Sequence, residues 1–248
     1  VASIAARYVY EDRWGGEMDY NKRTDRGSNK VYGESVFTNR AEIIGMYQIP
    51  TKEKIFTQIS YNFHQQNSFY GTNSYQAKQH VAFAQSYWDK TIGKHSLLTG
   101  ATFKYTFYDD NTPGTLSNEG KNQPMYTPLP GIFIQDEITF NPQHKLLLGY
   151  RLDYDKHHKD IHSPRFAYKF SPNKKHTIRT SFGTGFRVVN LFTEDHAALS
   201  GSRNVIIKND LNPEKSFNAN INYVFNNTYS FGNINIDVTA FYSYFTNK

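Results

Sequence analysis

Apolar and polar residues alternate along nearly the whole chain. Between Lys54 and Gln66, Ile55, Thr57, Ile59, Tyr61 and Phe63 fall on one side, and Gln58, Ser60, Asn62, His64 and Gln66 on the other. Successive side chains of an extended strand point to opposite faces, whereas a helix would scatter both sets around its axis. Further along, Val81, Phe83 and Tyr87 oppose Lys78, His80 and Ser86, while Ala101, Phe103, Tyr105 and Phe107 oppose Gly100, Thr102, Lys104 and Thr106. Leu146 to Tyr154, Phe217 to Phe225 and Ile234 to Tyr244 repeat the design. About eleven such segments follow one another, many longer than the roughly five or six residues of an ordinary strand.

The connections predict where these strands sit. Tight turns fall at Pro50 to Glu53, Asp89 to Lys94, Asn141 to His144, Ser171 to Lys175 and Asn226 to Ser230. Longer polar stretches alternate with them, at Glu11 to Lys30, Asn67 to Tyr75, Asp109 to Leu129, Asp155 to His162 and Arg187 to Pro213. Short turns at one end and long loops at the other are the habit of a transmembrane barrel, whose apolar face points outward to lipid. Aromatic residues decorate both ends of the apolar face. Tyr47, Tyr87, Phe140, Phe170 and Phe225 lie beside the short turns. Tyr61, Phe63, Tyr105, Phe107, Tyr154, Phe186, Tyr242 and Tyr244 lie beside the long loops. Amphipathic rings favour the two membrane interfaces, so these sets predict two girdles. The expected fold is all-β: a transmembrane antiparallel up-and-down β-barrel.

Composition supports this placement. Tyr and Phe number 19 each in 248 residues, yet the mean hydropathy is −0.68. A soluble core would draw more on Leu, Ile and Val. No apolar run approaches the length of a membrane helix, and Val1 to Tyr10 reads as a strand rather than a signal peptide. Cys is absent, which excludes disulfides and thiolate metal sites. The net charge of +6 has no polybasic block, arguing against a nucleic-acid arm. Single-chain barrels normally have even strand numbers, and an open edge in lipid leaves backbone groups unsatisfied. Residues 1–248 are therefore expected to be one incomplete barrel segment, with the protein extending at both ends.

Five short runs carry a specific resemblance. Gly131-Ile132-Phe133-Ile134-Gln135-Asp136-Glu137 resembles the Phe-x-Gln-Asp-Glu strand of TonB-dependent outer-membrane receptors. Gly149-Tyr150-Arg151-Leu152-Asp153 follows, similar to that family's Gly-x-Arg-x-Asp, and then Ser163-Pro164-Arg165. Arg179 to Arg187 is similar to its Arg-x-Ser-x-Gly-x-Gly-Phe-Arg, and Leu211 to Ser216 to its Leu-x-Pro-Glu-x-Ser. One departure falls after Arg187, where Val188 to Phe192 replaces the family's Pro and Glu-Leu. The resemblance implies a bacterial outer-membrane protein, about half of a barrel of about twenty-two strands. It also implies an N-terminal plug outside these residues, and a TonB-type energy-transducing partner contacted through an absent N-terminal segment. The implied function is active import of a small-molecule nutrient, an iron chelate such as a ferric siderophore first. Haem or cobalamin import, or a passive porin-type channel, stand as alternatives.

Candidate residues fall into three groups. Glu137, Arg151, Arg165, Arg179 and Arg187 map to the lumen face, where they either hold the plug and ligand path or pair with one another along a wet wall. Arg13, Trp14, Phe69, Tyr70, Tyr75, Glu194 and His196 map to long loops, with Asp109, Asp110 and Asn111, as ligand contacts or as packing between loops. His157, His158 and His162 share the fourth loop, and His64 and His80 are placed on the lumen face. Their spacing defines no metal site, so solvated surface is the expected role. No Gly-x-Ser-x-Gly, P-loop or His-Glu-x-x-His is present, so neither catalysis nor a cofactor is expected.

Overall fold

The computed structural model describes residues 1–117, 119–187 and 213–246. Among the described residues, eleven strands form one antiparallel sheet in which each strand pairs with its sequence neighbours. They are β1 (Ala2–Gly16), β2 (Gly33–Gln48), β3 (Lys54–Tyr70), β4 (Asn73–Ile92), β5 (His95–Asp110), β6 (Met125–Asn141), β7 (His144–Asp155), β8 (Lys159–Phe170), β9 (His176–Arg187), β10 (Glu214–Tyr229) and β11 (Gly232–Thr246). Among the described residues, β1 and β11 each pair with one strand only.

Cross-strand partners share a face, so the register sorts the side chains. One face carries Ile4, Ile43, Ile59, Phe103, Ile132, Leu152, Phe166, Phe182, Ile221 and Val238. The other carries Arg7, Glu42, Asn62, Thr102, Arg151, Arg179, Asn222 and Thr239. The apolar face is the lipid side and the polar face the lumen. Nearly all the predicted girdle residues fall on the lipid side.

β4 is a correction. Val81, Phe83 and Tyr87 pair with Asn62, Ser60 and Phe56 and so face the lumen, while His80, Ala82, Ala84 and Trp88 face lipid. The cause is the β3–β4 hairpin, closed by only residues 71–72 with Gly71 at φ +57°. A one-residue shift reverses every side chain of a strand, and both faces of β4 carry apolar residues. A spin label on Ala84→Cys is expected to be reached by oxygen dissolved in the bilayer. A label on Phe83→Cys is expected to be shielded from it; the reverse contrast would restore the opposite register.

The loop lengths also differ from expectation. The short end keeps short connections, at 49–53, 93–94, 142–143, 171–175 and 230–231, but residues 89–92 and 226–229, read as turn, belong to β4 and β10. At the other end only 17–32 and 111–124 are long among the described loops; 71–72 and 156–158 are tight turns. Strands of 12 to 20 residues exceed the roughly 9–11 needed to cross lipid. Above the membrane both strand faces meet water, the apolar signal vanishes, and polar ladder residues look like loop. The 156–158 turn is held by Asp155, whose Oδ1 accepts from the backbone N–H groups of His157 (2.8 Å) and His158 (2.9 Å). At the short end, a hydrogen bond from Lys90, then one from Trp88, holds the Glu53 carboxyl below its usual range.

Candidate functional site at the lumen mouth

The upper lumen wall of β1 to β5 carries the most developed site. Tyr70, Tyr75, Ala77 and Tyr108 form a buried cluster there. Tyr108 donates from its hydroxyl to Asp110 Oδ2 at 2.5 Å, so the 3.0 Å contact between hydroxyls has Tyr75 as donor. Both hydroxyls thereby act as donors, Tyr75 to Tyr108 and Tyr108 to Asp110. Asp110 is anchored in turn: its Oδ1 accepts from the Thr112 N–H (2.9 Å), the Thr112 hydroxyl (2.7 Å) and the Thr115 hydroxyl (2.9 Å). Asn111 ties the same loop to β4, donating to the Ser74 carbonyl at 3.0 Å and accepting from the Gln76 N–H at 2.8 Å. Such chains of satisfied buried polar groups fix side-chain positions.

Below this cluster lies a cavity of about 370 Å³, lined by Arg40, Glu42, Asn62, His64, Gln66, Tyr75 and Tyr108 among others. Glu42 is neutralised by Arg7 at 2.6 Å and accepts from Asn62 at 3.0 Å. Arg40 has no ion pair among the described residues. A second cavity of about 440 Å³ adjoins through Gln66 and is lined by Arg13, Tyr32, Glu34 and Tyr70. The mouth therefore offers an unpaired guanidinium beside a wall held rigid by buried tyrosines, a setting that suits anionic ligands.

The structure redistributes the predicted loop contacts. Arg13 and Trp14 lie in β1, not in a loop, and pair with Val36 and Ser35. Arg13 faces the lumen cavity and contacts Glu11 at 3.4 Å. Trp14 falls on the outward face, with its ring 6.4 Å from that of Tyr20 and Lys22 over it at 5.8 Å. Phe69 also faces outward: the Arg26 guanidinium sits 4.4 Å from both the Phe37 and Phe69 rings and donates to Ser35 at 2.8 Å. Residues 17–32 thus fold back over the outer wall, drawn by cation–π contacts on aromatics above the lipid. Tyr70 and Tyr75 end and begin strands rather than occupying a loop, and both are buried. Glu194 and His196 lie outside the described residues.

All five predicted wall residues face the lumen. Glu137 pairs with Lys145 at 2.7 Å, Arg151 with Asp153 at 2.6 Å and Arg187 with Glu214 at 2.8 Å. Arg179 donates to Asn222 at 3.1 Å. Arg165 has no ion pair among the described residues; it lines a cavity of about 710 Å³ with Gln85, Tyr87, Phe133 and Arg151. Three of the five are thus ion-paired to other residues of the wall, and among the described residues none pairs with another member of the set. The histidines do not gather. His157 and His158 sit on a turn, His162 and His80 face lipid, and only His64 faces the lumen. Among the described residues no three His, Cys, Asp or Glu side chains converge on a metal-sized site.

Sequence reasoning missed Arg40, Glu42 and Tyr108. Each sits on the lumen face of a strand, and the available signal was parity carried above the membrane from the lipid-facing residues below.

The profile of the family described as TonB dependent receptor-like, beta-barrel, matches residues 2–248. An iron-regulated outer membrane virulence protein of Vibrio cholerae serotype O1 is 32% identical over 160 residues, covering 63% of this chain and 24% of the relative. The chain thus spans about a quarter of the length of the curated relatives it matches. The FrpB iron transporter of Neisseria meningitidis superposes with a TM-score of 0.67 at 12% identity, covering 98% of this chain and 42% of that one. The alcaligin outer membrane receptor FauA of Bordetella pertussis gives 0.64 at 13% identity, with 98% and 40% covered. The siderophore receptor PirA of Pseudomonas aeruginosa gives 0.65 at 13% identity, with 88% and 40% covered.

Proposed function

Since this chain belongs to the TonB-dependent receptor β-barrel family and is a bacterial outer-membrane protein, we propose that it forms part of an active importer of an iron chelate such as a ferric siderophore. The described residues supply eleven strands of the wall; the remaining strands and an N-terminal plug complete the importer. Energy reaches it from a TonB-type inner-membrane partner, through a segment outside these residues. Cargo is first held at the outer mouth, on the wall of β1 to β5.

The observation that carries this reading is Arg40, an unpaired guanidinium beside the buried Tyr75–Tyr108 pair in an open lumen cavity. Ferric siderophores are frequently anionic and rich in flat donor groups, which suit a guanidinium and aromatic edges. Two features of the relatives favour the same cargo: an iron-regulated sequence relative, and iron and siderophore receptors among the structural neighbours. In the full-length receptor, Arg40→Ala is expected to weaken binding of an anionic ferric chelate about tenfold, the scale of one charge-assisted contact. Fluorescence quenching by ferric siderophores of differing charge measures it. Unchanged affinity across the panel would remove the mouth cavity as the binding site.

A further inference from the structure

Four histidines make the same contact in four places. His80 Nδ1 lies 2.6 Å from the Tyr61 hydroxyl, His144 Nδ1 2.5 Å from that of Tyr168, and His176 Nδ1 2.7 Å from that of Tyr223; His162 Nδ1 is hydrogen-bonded to Tyr150. In register, these histidines stand directly opposite Phe63, Phe170, Phe225 and Leu152. The tyrosine is always two residues before that partner, within Tyr61-Asn62-Phe63, Tyr168-Lys169-Phe170, Tyr223-Val224-Phe225 and Tyr150-Arg151-Leu152. Right-handed strand twist brings one diagonal of an antiparallel pair closer, which explains the common sense of all four. Rings reinforce three of the couples: His80 lies 5.0 Å from Phe63, His144 4.8 Å from Phe170, and His176 5.1 Å from Phe225.

All four couples lie on the lipid face, and they occupy two levels. His144 and His176 open β7 and β9 beside the short turns, while His80 and His162 lie toward the loop end of β4 and β8. Those two levels are the girdle levels, where a barrel of this kind meets the lipid headgroups. Each Nδ1 is engaged by a tyrosine, and among the described residues no protein group hydrogen-bonds the Nε2 of any of the four. With the phenol donating to Nδ1, the neutral ring keeps its proton on Nε2; the protonated ring carries one there too. Nε2–H is then a fixed donor at the edge of the hydrocarbon, where the abundant strong acceptors are lipid phosphates. His95, whose Nδ1 lies 2.6 Å from Asp136 Oδ2, faces a carboxylate instead and does not share the arrangement.

We infer that the four His–Tyr couples are binding sites for the phosphate groups of bilayer lipids, each imidazole donating from Nε2 to a phosphate oxygen while its tyrosine fixes the ring. The sites hold the barrel at a set depth in the membrane. They rest on the outer-membrane location alone, not on the cargo or its energy source.

The test uses the full-length receptor refolded into vesicles of phosphatidylglycerol or of a phosphate-free galactolipid of matched chain length. The variant replaces His80, His144, His162 and His176 with Phe, keeping an apolar ring in each girdle position. Wild type is expected to be more stable to urea in phosphatidylglycerol, and the variant to lose about tenfold of that preference in its folding equilibrium constant. Equal loss in both lipids would make the histidines plain girdle residues and overturn the inference. So would an equal stabilisation of the detergent-solubilised protein by inorganic phosphate, which would assign the sites to a free anion. If the variant does not refold, 15N-histidine wild-type receptor in phosphatidylglycerol decides: dipolar contact between imidazole nitrogen and lipid 31P is expected, and its absence contradicts the sites.

Discussion

Ile134→Arg is expected to cost about 2–4 kcal/mol of folding free energy in lipid, and Gln135→Arg close to nothing. The two positions are adjacent in β6 and chemically alike after substitution, so only the face differs. Ile134 pairs with Thr99 and Tyr150 on the lipid side, and 52% of its surface is open to the bilayer. It lies near the middle of β6 and directly opposite Tyr150, so a guanidinium there leaves the bilayer only by extending fully past the Tyr150–His162 couple. Gln135 pairs with Leu98 and Gly149 on the lumen side, in the cavity that also holds Arg151 and Arg165. A longer cationic side chain finds water and room there, because Gly149 offers no side chain. Urea titration of the complete receptor in vesicles measures both. Equal costs would mean that β6 does not cross lipid, and a larger cost at Gln135 that the faces have been assigned the wrong way round.

The second large effect centres on Asp153. Its side chain is fully buried on the lumen wall, where it accepts from Arg151 Nε at 2.7 Å and Nη2 at 2.6 Å. The carboxylate fits because Gly131 stands opposite: a Cβ there would lie 2.3 Å from Asp153 Oδ1 and 2.9 Å from Thr102 Oγ1. Asp153→Ala leaves Arg151 with a single weak contact, to Thr102 at 3.2 Å. Removing one partner of a buried pair costs more than the pair contributes. Since 37% of the Arg151 side chain is exposed, water softens the loss to about 2 kcal/mol. Gly131→Ala should cost about 1–3 kcal/mol by displacing the same carboxylate. Combined, the two changes should cost less than their sum, because the methyl group fills the space the carboxylate vacates. Strict additivity in a double-mutant cycle would show that Gly131 and Asp153 are not coupled.

These two cases also mark how far the sequence could be read. The faces of Ile134 and Gln135 follow by parity from Phe140 and Glu137, although Phe133 on the lumen side and Asp136 on the lipid side break the alternation. The fit of Asp153 over Gly131 was not legible, since it depends on how β6 pairs with β7. Register was likewise the unseen variable at β4, where the hairpin at Gly71 turned Phe83 inward and His80 outward. The His–Tyr diagonals share that origin: Tyr61 and His80 are nineteen positions apart, and nothing local couples them. Above the membrane the sorting solvent is gone, so Trp14, Phe69, Tyr70 and Tyr75 read as loop although they belong to strands. Arg40 and Tyr108 followed the same parity as the residues below them, and were overlooked because polar lumen positions carry no pattern of their own. The 188–212 stretch, with Glu194 and His196, lies outside the described residues.

Uptake of a radiolabelled ferric siderophore by cells carrying the full-length receptor, compared with and without the TonB-type energy-transducing protein, tests the central claim most directly. Binding at the cell surface should be the same in both strains, because the mouth cavity is built from the barrel alone, while accumulation inside should occur only where the partner is present. Equal accumulation in the two strains would contradict active import and make the barrel a passive channel.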